Sequence, residues 1–581
     1  MTDLHTNAGP QKYVNPNFVG PASNSESARE TAADRRALPN LYDIAVATAE
    51  KFGVCVRPVT MRVEDPKTGT VSYIGAPCKA TVASVCKPCA DKARYLRITQ
   101  CREGWHADTE PVAEKREPTE WQTELLTARV DLVAQYQDAK DDGDEDLAGA
   151  VREIVADIDQ ELRACGLRGP LPSLDPKPAK RRARSTKRRQ DVPDLPRKKV
   201  ARNTIGRVYG GKYRPSMMVT LTMPSYGAIN HDGAVDKDGK PCSDGSPRRP
   251  DEYDYPSAAR DVVFCSALFD RWIQNLRRAV GYDVQYFAAV EPQKRGAPHF
   301  HVLLRTAIPR DILKLVTAAT YHQVWWPHFD PDNERYSGDR MPVWDHKLMT
   351  FVDQDSHAPL KGWDEALDIL DTVDDLEPAY TVRFGARMDP GDIRGHVPGK
   401  DANRAIGYAT KYLTKSISEV LETDSMRTAV HYDRLHAELK HTPCSPKCAV
   451  WLRYGIVPKG ASDKTVPGRC KGKAHRRDTL GLPGRRVLVS RRWSGKTLPD
   501  HKADRADFVR QMLADVGIVK PDTSHLKVTP VEPGDQSRPL REHVIMGEIA
   551  RRTKWRAEYL NAMLDANPPG TQQTSVIQEA A

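Results

Sequence analysis

Apolar residues recur at helical spacing in two runs between residues 119 and 164: Leu125, Leu126, Val130 and Val133, then Leu147, Val151, Ile154, Val155, Ile158 and Leu162. The turn Asp141-Asp-Gly-Asp144 separates them, which predicts an antiparallel helical hairpin over 119–170. Elsewhere the period is nearer two. Val56 to Pro77 holds two strand-like runs joined at Asp65-Pro-Lys-Thr-Gly69, and Ala90 to Gln100 then reads as a helix. Asp283 to Glu291 alternates as a strand, Pro292-Gln-Lys-Arg-Gly-Ala-Pro298 reads as a hairpin loop, and His299-Phe-His-Val-Leu-Leu-Arg305 returns as a second strand. Arg404 to Ser416 is expected to be helical. The tail from Arg538 to Met563, with Ile545, Ile549, Trp555, Tyr559 and Leu560, suggests a small two-helix unit.

Polar composition marks the boundaries. The first 35 or so residues are rich in Asn, Ser, Ala and charge, a composition that favours disorder. Lys177-Pro-Ala-Lys-Arg-Arg-Ala-Arg-Ser-Thr-Lys-Arg-Arg189 cannot pack into a core and is either a solvated linker or a nucleic-acid contact. With 581 residues, three or four domains are expected, and 39% hydrophobic residues suffice for their cores. A formal charge of +10 suits a polyanionic partner. The N-terminus lacks a basic-then-apolar signal, and no apolar run reaches the ~18 residues that a bilayer requires, so a cytoplasmic location without membrane partners is expected. Eleven cysteines, an odd number, point to metal sites in a reducing compartment instead of a secreted disulfide scaffold.

The chemistry concentrates in three places. Strand alternation puts His299 and His301 on one face, and the hairpin returns Glu291 beside His299, a half-site for a divalent metal with positions left open. The alternative is a pair of half-exposed polar histidines, and Gln293 or Asp283 competes with Glu291 as third ligand. On a helix through Arg404–Ser416, Tyr408 and Tyr412 would lie one turn apart with Lys411 and Lys415 stacked beside them. Cysteines form the other two groups. Cys55 and Cys78 fall nearly opposite each other when counted outward from the Asp65–Gly69 turn, and Cys86-Lys-Pro-Cys89 completes a four-thiolate zinc set. Cys101 is a poorer ligand because the intervening helix carries it roughly 18 Å from Cys89. Cys444, Cys448, Cys470 and His475 make a second zinc set, either structural or DNA-contacting, with Arg469, Lys471, Lys473, Arg476 and Arg477 around it. Buried thiols without metal are the alternative for the first set. Gly495-Lys496-Thr497 ends like a phosphate-binding loop, but Ser490 stands where that loop needs glycine.

His-hydrophobic-His followed by the doubled Tyr-x-x-Lys resembles the signature of rolling-circle replication initiators of the HUH endonuclease superfamily, the doubled form being similar to that of phage initiators with two tyrosines. Met218-Val-Thr-Leu-Thr222 resembles the short strand motif that precedes the metal motif. The wider pattern resembles initiators of actinobacterial plasmids and integrative elements. It takes in Cys86-x-x-Cys89, Glu103-Gly-Trp105, Val324-Trp-Trp-Pro327 and Arg485 to Thr497, and covers the chain to about residue 520.

The resemblance implies an α+β fold with a central antiparallel sheet flanked by helices. The corresponding division is a disordered 1–35, a zinc-ribbon-like 36–118, the hairpin 119–170, a basic linker 171–205, the endonuclease domain 206–425, a second zinc module 426–520 and a tail 521–581 that could contact DNA. It also implies site-specific nicking of an origin. Tyr408 or Tyr412 would attack a phosphodiester, leaving a 5′-phosphotyrosine and a 3′-hydroxyl. Glu291, His299 and His301 would hold Mg²⁺ or Mn²⁺, Lys411 and Lys415 would assist, and about two Zn²⁺ would be structural. The partners implied are origin DNA, single-stranded or supercoiled, and a host helicase and polymerase. A transposase or relaxase of the same superfamily, or a noncatalytic zinc-dependent regulator, is the alternative.

Overall fold

In the computed structural model, residues 40–566 are described except 108, 113–116, 176–188, 199–212, 215, 236–238, 240, 331, 371, 373–376, 393–394, 397–399, 412, 414, 424, 483–485 and 519–521. The disordered N-terminus expected over 1–35, most of the basic linker, and Tyr412 lie outside the described residues. The chain divides into two units, residues 1–78 with 516–581, and residues 79–515. These limits fall elsewhere than the sequence boundaries: residues 79–118 group with the larger unit, and the tail with the N-terminal strands. The whole is a mixed α+β protein.

In the smaller unit, Val59–Glu64 pairs antiparallel with Val71–Ala76 on one side and Lys527–Pro530 on the other. A helix over Leu41–Lys51, opened by the Asn40–Asp43 capping box, and a helix over Arg541–Ala566 pack in the same unit. Gly75 makes this packing possible, because a Cβ there would meet Glu548 Cγ at 2.8 Å and Pro58 Cβ at 2.9 Å. The tail is thus one continuous helix of 26 residues and not the two expected. Leu540 to Ala566 contains neither Gly-Pro punctuation nor a turn signal, and Gly547 alone does not break it.

The larger unit is built on a five-stranded antiparallel sheet. Its strands are β1 (Met217–Thr222), β2 (Tyr286–Pro292), β3 (Pro298–Leu304), β4 (Met388–Asp392) and β5 (Val487–Val489), in spatial order β4-β1-β3-β2-β5. Period-two alternation gives the sheet two different faces. Val219, Leu221, Ala288, Val290, Phe300, Val302 and Leu304 face the main core. Across it lies α2 (Tyr255–Val280), whose Leu268, Phe269, Trp272 and Leu276 repeat at helical spacing; Phe269 stacks on Phe300 at 5.1 Å between centroids. Asp254 caps the start of α2, and Gly281 at φ 81° ends it.

The opposite face is divided along its length. Phe287, Leu303, Met218 and Val487 form an apolar half with Cys101 and Trp105 of α1 (Ala83–Trp105) and Ala405, Ile406 and Ala409 of α3 (Lys400–Thr410). Further along the same strands the face turns polar, with Thr222, Glu291, His299 and His301. A helix can therefore be anchored on the apolar half and end beside the polar half. The hairpin 119–164 forms as helices Glu120–Asp141 and Glu145–Ala164, tied by the ion pair of buried Arg129 with half-buried Asp159 at 2.5 Å.

Candidate functional site

Register brings the metal motif together. Glu291 is paired with His299 across β2 and β3, and Thr222 and Thr220 stand opposite His299 and His301 on the other side. His301 is 3% exposed; its Nε2 lies 2.9 Å from Glu291 Oε2, while its buried Nδ1 has no hydrogen-bond partner among the described residues. The two imidazoles meet edge to face, 4.7 Å between centroids. Burial, then the nearness of His301 and Arg295, pushes the His299 pKa down to about 3, so this ring is neutral. Two imidazoles and a carboxylate form a donor set that suits a divalent ion. The arrangement is looser than a closed cage. Among the described residues, Glu291, His299 and His301 are not one of the sets whose donor atoms all lie within 4.8 Å of one another. Glu291 closes on His301, with Oε2 2.9 Å from Nε2. Neither expected substitute for Glu291 is poised to ligate: Asp283 pairs with Arg277 at 2.8 Å and Arg492 at 2.5 Å, and Gln293 hydrogen-bonds His299.

Tyr408 completes the cluster from α3. Its ring meets His301 edge-on at 4.9 Å between centroids, and the residue is 48% exposed, open to a substrate. The helix then stops at Thr410, where Arg94 Nε of α1 donates to the Thr410 carbonyl at 3.2 Å. Lys411 N–H turns back to the Tyr408 carbonyl at 3.2 Å, and Leu413 N–H to Thr410 at 3.2 Å. The described helix ends at Thr410, short of the continuation to Lys415 that the spacing predicts, and Tyr412 lies outside the described residues. Lys411 and Lys415 are exposed, and the Lys415 carbonyl accepts from Arg486 Nη1 at 2.7 Å. Arg486 also donates from Nε to Val290 at 3.2 Å, and its pKa is lowered by burial against the pull of Glu291. Arg486 is not among the site residues that the sequence motifs single out. Its position in the basic run before Trp493 was the available signal.

The second cysteine set gathers in the larger unit. Cys444, Cys448, Cys470 and His475 offer donor atoms within 4.8 Å of one another. Cys444 and Cys470 sulfurs are 3.9 Å apart, and Cys448 Sγ lies 3.3 Å from His475 Nε2. His475 Nδ1 meets the Leu439 carbonyl at 2.7 Å, the outer contact that orients a metal-bound imidazole. Cys444, then Cys448 and His475, hold the Cys470 thiol well below its ordinary pKa. Of the first set, Cys55 and Cys78 belong to the smaller unit, where Cys78 N–H reaches Cys55 Sγ at 3.3 Å. Cys86 and Cys89 open α1 in the larger one; Cys86 departs from helical geometry at φ −164° and ψ 98°. Cys101 is buried in the apolar cluster, where desolvation pushes its thiol pKa far up.

Glu103, His501 and Asp504 form a further cluster that the sequence did not reveal. Lys496 already supplies its positive charge, 2.7 Å from Asp504 and 3.8 Å from Glu103. Thr497 caps the helix Leu498–Asp515, its N–H and hydroxyl both donating to Asp500. The Gly495-Lys496-Thr497 segment thus has an ion-pair and capping role in the fold.

The family described as replication initiator protein, pSAM2 (RepSA), matches residues 41–551, from the first described helix through both histidine and cysteine motifs. The chain belongs to this family of replication initiators. A replication initiator protein of Streptomyces ambofaciens is 23% identical over 274 residues, covering 41% of this chain and 52% of that protein. The chain thus spans about half the length of the curated relative it matches. No solved structure matches the chain. Among the described residues, no helix is long and apolar enough to cross a membrane.

Proposed function

We propose that this initiator is an HUH-type DNA endonuclease and strand transferase that nicks one strand at a replication origin through Tyr408 and rejoins strands at termination. The observation that carries this reading is the contact of Tyr408 with His301, on the sheet face shared by Glu291 and His299. A free tyrosine has a pKa of about 10 and is a poor nucleophile at neutral pH, and a phosphodiester repels anions. Both obstacles call for positive charge. Bound to Glu291, His299 and His301, a Mg²⁺ or Mn²⁺ ion would polarise a nonbridging phosphate oxygen and stabilise the charge that develops there.

The Tyr408 oxygen loses its proton as it bonds phosphorus, and the bond to the 3′ oxygen breaks, that oxygen taking up a proton. One phosphodiester replaces another, so no external energy source is needed. Lys411, directly beyond the helix, and Lys415 would favour the phenolate or hold phosphate. Tyr412 is the proposed second nucleophile for termination. We assign structural Zn²⁺ to Cys444, Cys448, Cys470 and His475, and a second to Cys55, Cys78, Cys86 and Cys89, the latter from sequence spacing. Origin DNA is the partner; a host helicase would extend the unwound region and a polymerase would use the 3′-hydroxyl.

Incubating the protein with supercoiled DNA carrying its own element's origin tests this. Nicked circles should form only with Mg²⁺ or Mn²⁺. Specific binding without nicking under all metal conditions would favour a noncatalytic regulator, and cleavage of transposon ends or a transfer origin instead would favour a transposase or relaxase.

A further inference from the structure

The loop between β2 and β3 is held more firmly than a solvent-exposed hairpin requires. Gln293 N–H bonds the Ala297 carbonyl and Gly296 N–H the Gln293 carbonyl, each at 2.9 Å. Gly296 adopts φ 78°, and a Cβ there would come within 2.7 Å of Leu435 on α4 (Met426–His441). From the same helix Tyr432 donates to the Lys294 carbonyl at 2.5 Å, and His431 Nε2 lies 3.2 Å from the Arg295 carbonyl. The loop backbone is therefore fixed along its length.

Its side chains continue the order toward the metal motif. Arg295 donates from Nη1 to the Pro224 carbonyl at 2.6 Å and from Nη2 to the Met223 carbonyl at 2.9 Å. Its guanidinium lies over the Tyr226 ring at 5.3 Å, and the Tyr226 hydroxyl is itself anchored on Asp261 at 2.6 Å. Its Nε donates to Gln293 Oε1 at 2.9 Å. A guanidinium only donates, so the Gln293 atom facing it must be the oxygen. The amide nitrogen then faces His299 Nδ1, 3.3 Å away. An amide NH₂ also only donates. Nδ1 must accept, and the ring carries its hydrogen on Nε2.

We propose that Gln293 and Arg295 are positioning residues that set the tautomer of His299, and that the Gln293 amide is a two-position latch on that ring. The proposal rests on the metal-centre reading of Glu291, His299 and His301. In the arrangement described, His299 Nε2 has no lone pair to offer. For it to become a ligand, the hydrogen must move to Nδ1 and the amide must turn over, so that Oε1 accepts from Nδ1–H. Gln293 then gives up Arg295 Nε, while Arg295 stays fixed on the two β1-end carbonyls. Arg295 thus favours the closed position of the latch, and metal loading favours the open one.

Two substitutions separate these positions. Gln293→Glu offers only acceptors, so it should hold His299 in the Nδ1–H form; Gln293→Leu offers neither role. The imidazole nitrogen shifts of ¹⁵N-histidine-labelled protein, with the His299 signals assigned by their loss in His299→Ala, report the tautomer without metal. The unmodified protein should show Nε2–H and Gln293→Glu should show Nδ1–H. Mn²⁺ affinity, read from the free-ion electron paramagnetic resonance signal, should rise in Gln293→Glu. It should fall by about ten- to a hundredfold in Gln293→Leu, the usual effect of losing an outer-shell partner. The same tautomer in all three proteins, or unchanged Mn²⁺ affinity in Gln293→Leu while His299→Ala loses it, overturns the proposal. Failure of His299→Ala and His301→Ala to weaken Mn²⁺ binding would instead overturn the metal-centre reading itself, leaving the tautomer measurement to stand on its own.

Discussion

At the scale of residues, the proposed chemistry rests on the polar half of one sheet face, and its members have separable roles in it. His301→Ala should abolish nicking and leave specific duplex binding largely intact, because a metal ligand acts on phosphate and reads no base. A gel-shift and a nicking assay on the same preparation check this; an unchanged nicking rate would remove His301 from the site. The histidine pair and Glu291 were legible in the sequence because strand alternation is strict, so that a two-residue spacing and a short hairpin decide which side chains share a face. The end of the tyrosine helix at Thr410, before Lys411 and Lys415, was not. Their helical spacing is sound locally, but Arg94 from a distant segment takes the carbonyl at which the helix stops. Gln293 was legible only as a competing ligand. Its hold on His299 depends on Arg295, whose own anchors come from the end of β1.

At the scale of elements, α1 acts as a brace for the tyrosine helix. Cys101 and Trp105 pack with Ala405, Ile406 and Ala409, and Arg94 ends α3 just after Tyr408. Arg94→Ala should slow nicking by about ten- to a hundredfold, since small displacements of a nucleophile are costly, while leaving Mn²⁺ affinity unchanged. Equal loss of both would indicate general unfolding. The same brace depends on close approach at Gly104, where a Cβ would stand 2.1 Å from Trp493 Cδ1. Gly104→Ala should therefore lower unfolding free energy by about 1–3 kcal/mol in a denaturant titration; a neutral result would mean that α1 and Trp493 separate readily. Cys448→Ser should release one Zn²⁺ on metal analysis and loosen the segment around Trp451, which packs with Cys448 and Trp363. Retention of all bound zinc would sink that assignment. This cysteine set was readable from short spacings within each half, whereas the Glu103–His501–Asp504 cluster joins helices far apart in sequence and left no local pattern.

At the scale of the whole molecule, the sequence led to an α+β chain with a helical hairpin and metal motifs in order, and the family match over residues 41–551 places the chain in a family of replication initiators. The division into units was harder to read. The tail pairs its Lys527–Pro530 strand with Val59–Glu64, a long-range contact that no local periodicity encodes. The net charge of +10 fits a polyanionic partner but does not distinguish a nuclease from a regulator. That distinction rests on whether a tyrosine becomes covalently attached to DNA. Single-stranded origin DNA, labelled on the 5′ side of the product that would be transferred, should be incubated with the protein and Mn²⁺, digested with protease and mapped by mass spectrometry. The 5′-phosphate should be found on Tyr408, and on Tyr412 when Tyr408→Phe is used; an origin cleaved without any tyrosine adduct, or an adduct outside this pair, would contradict the mechanism.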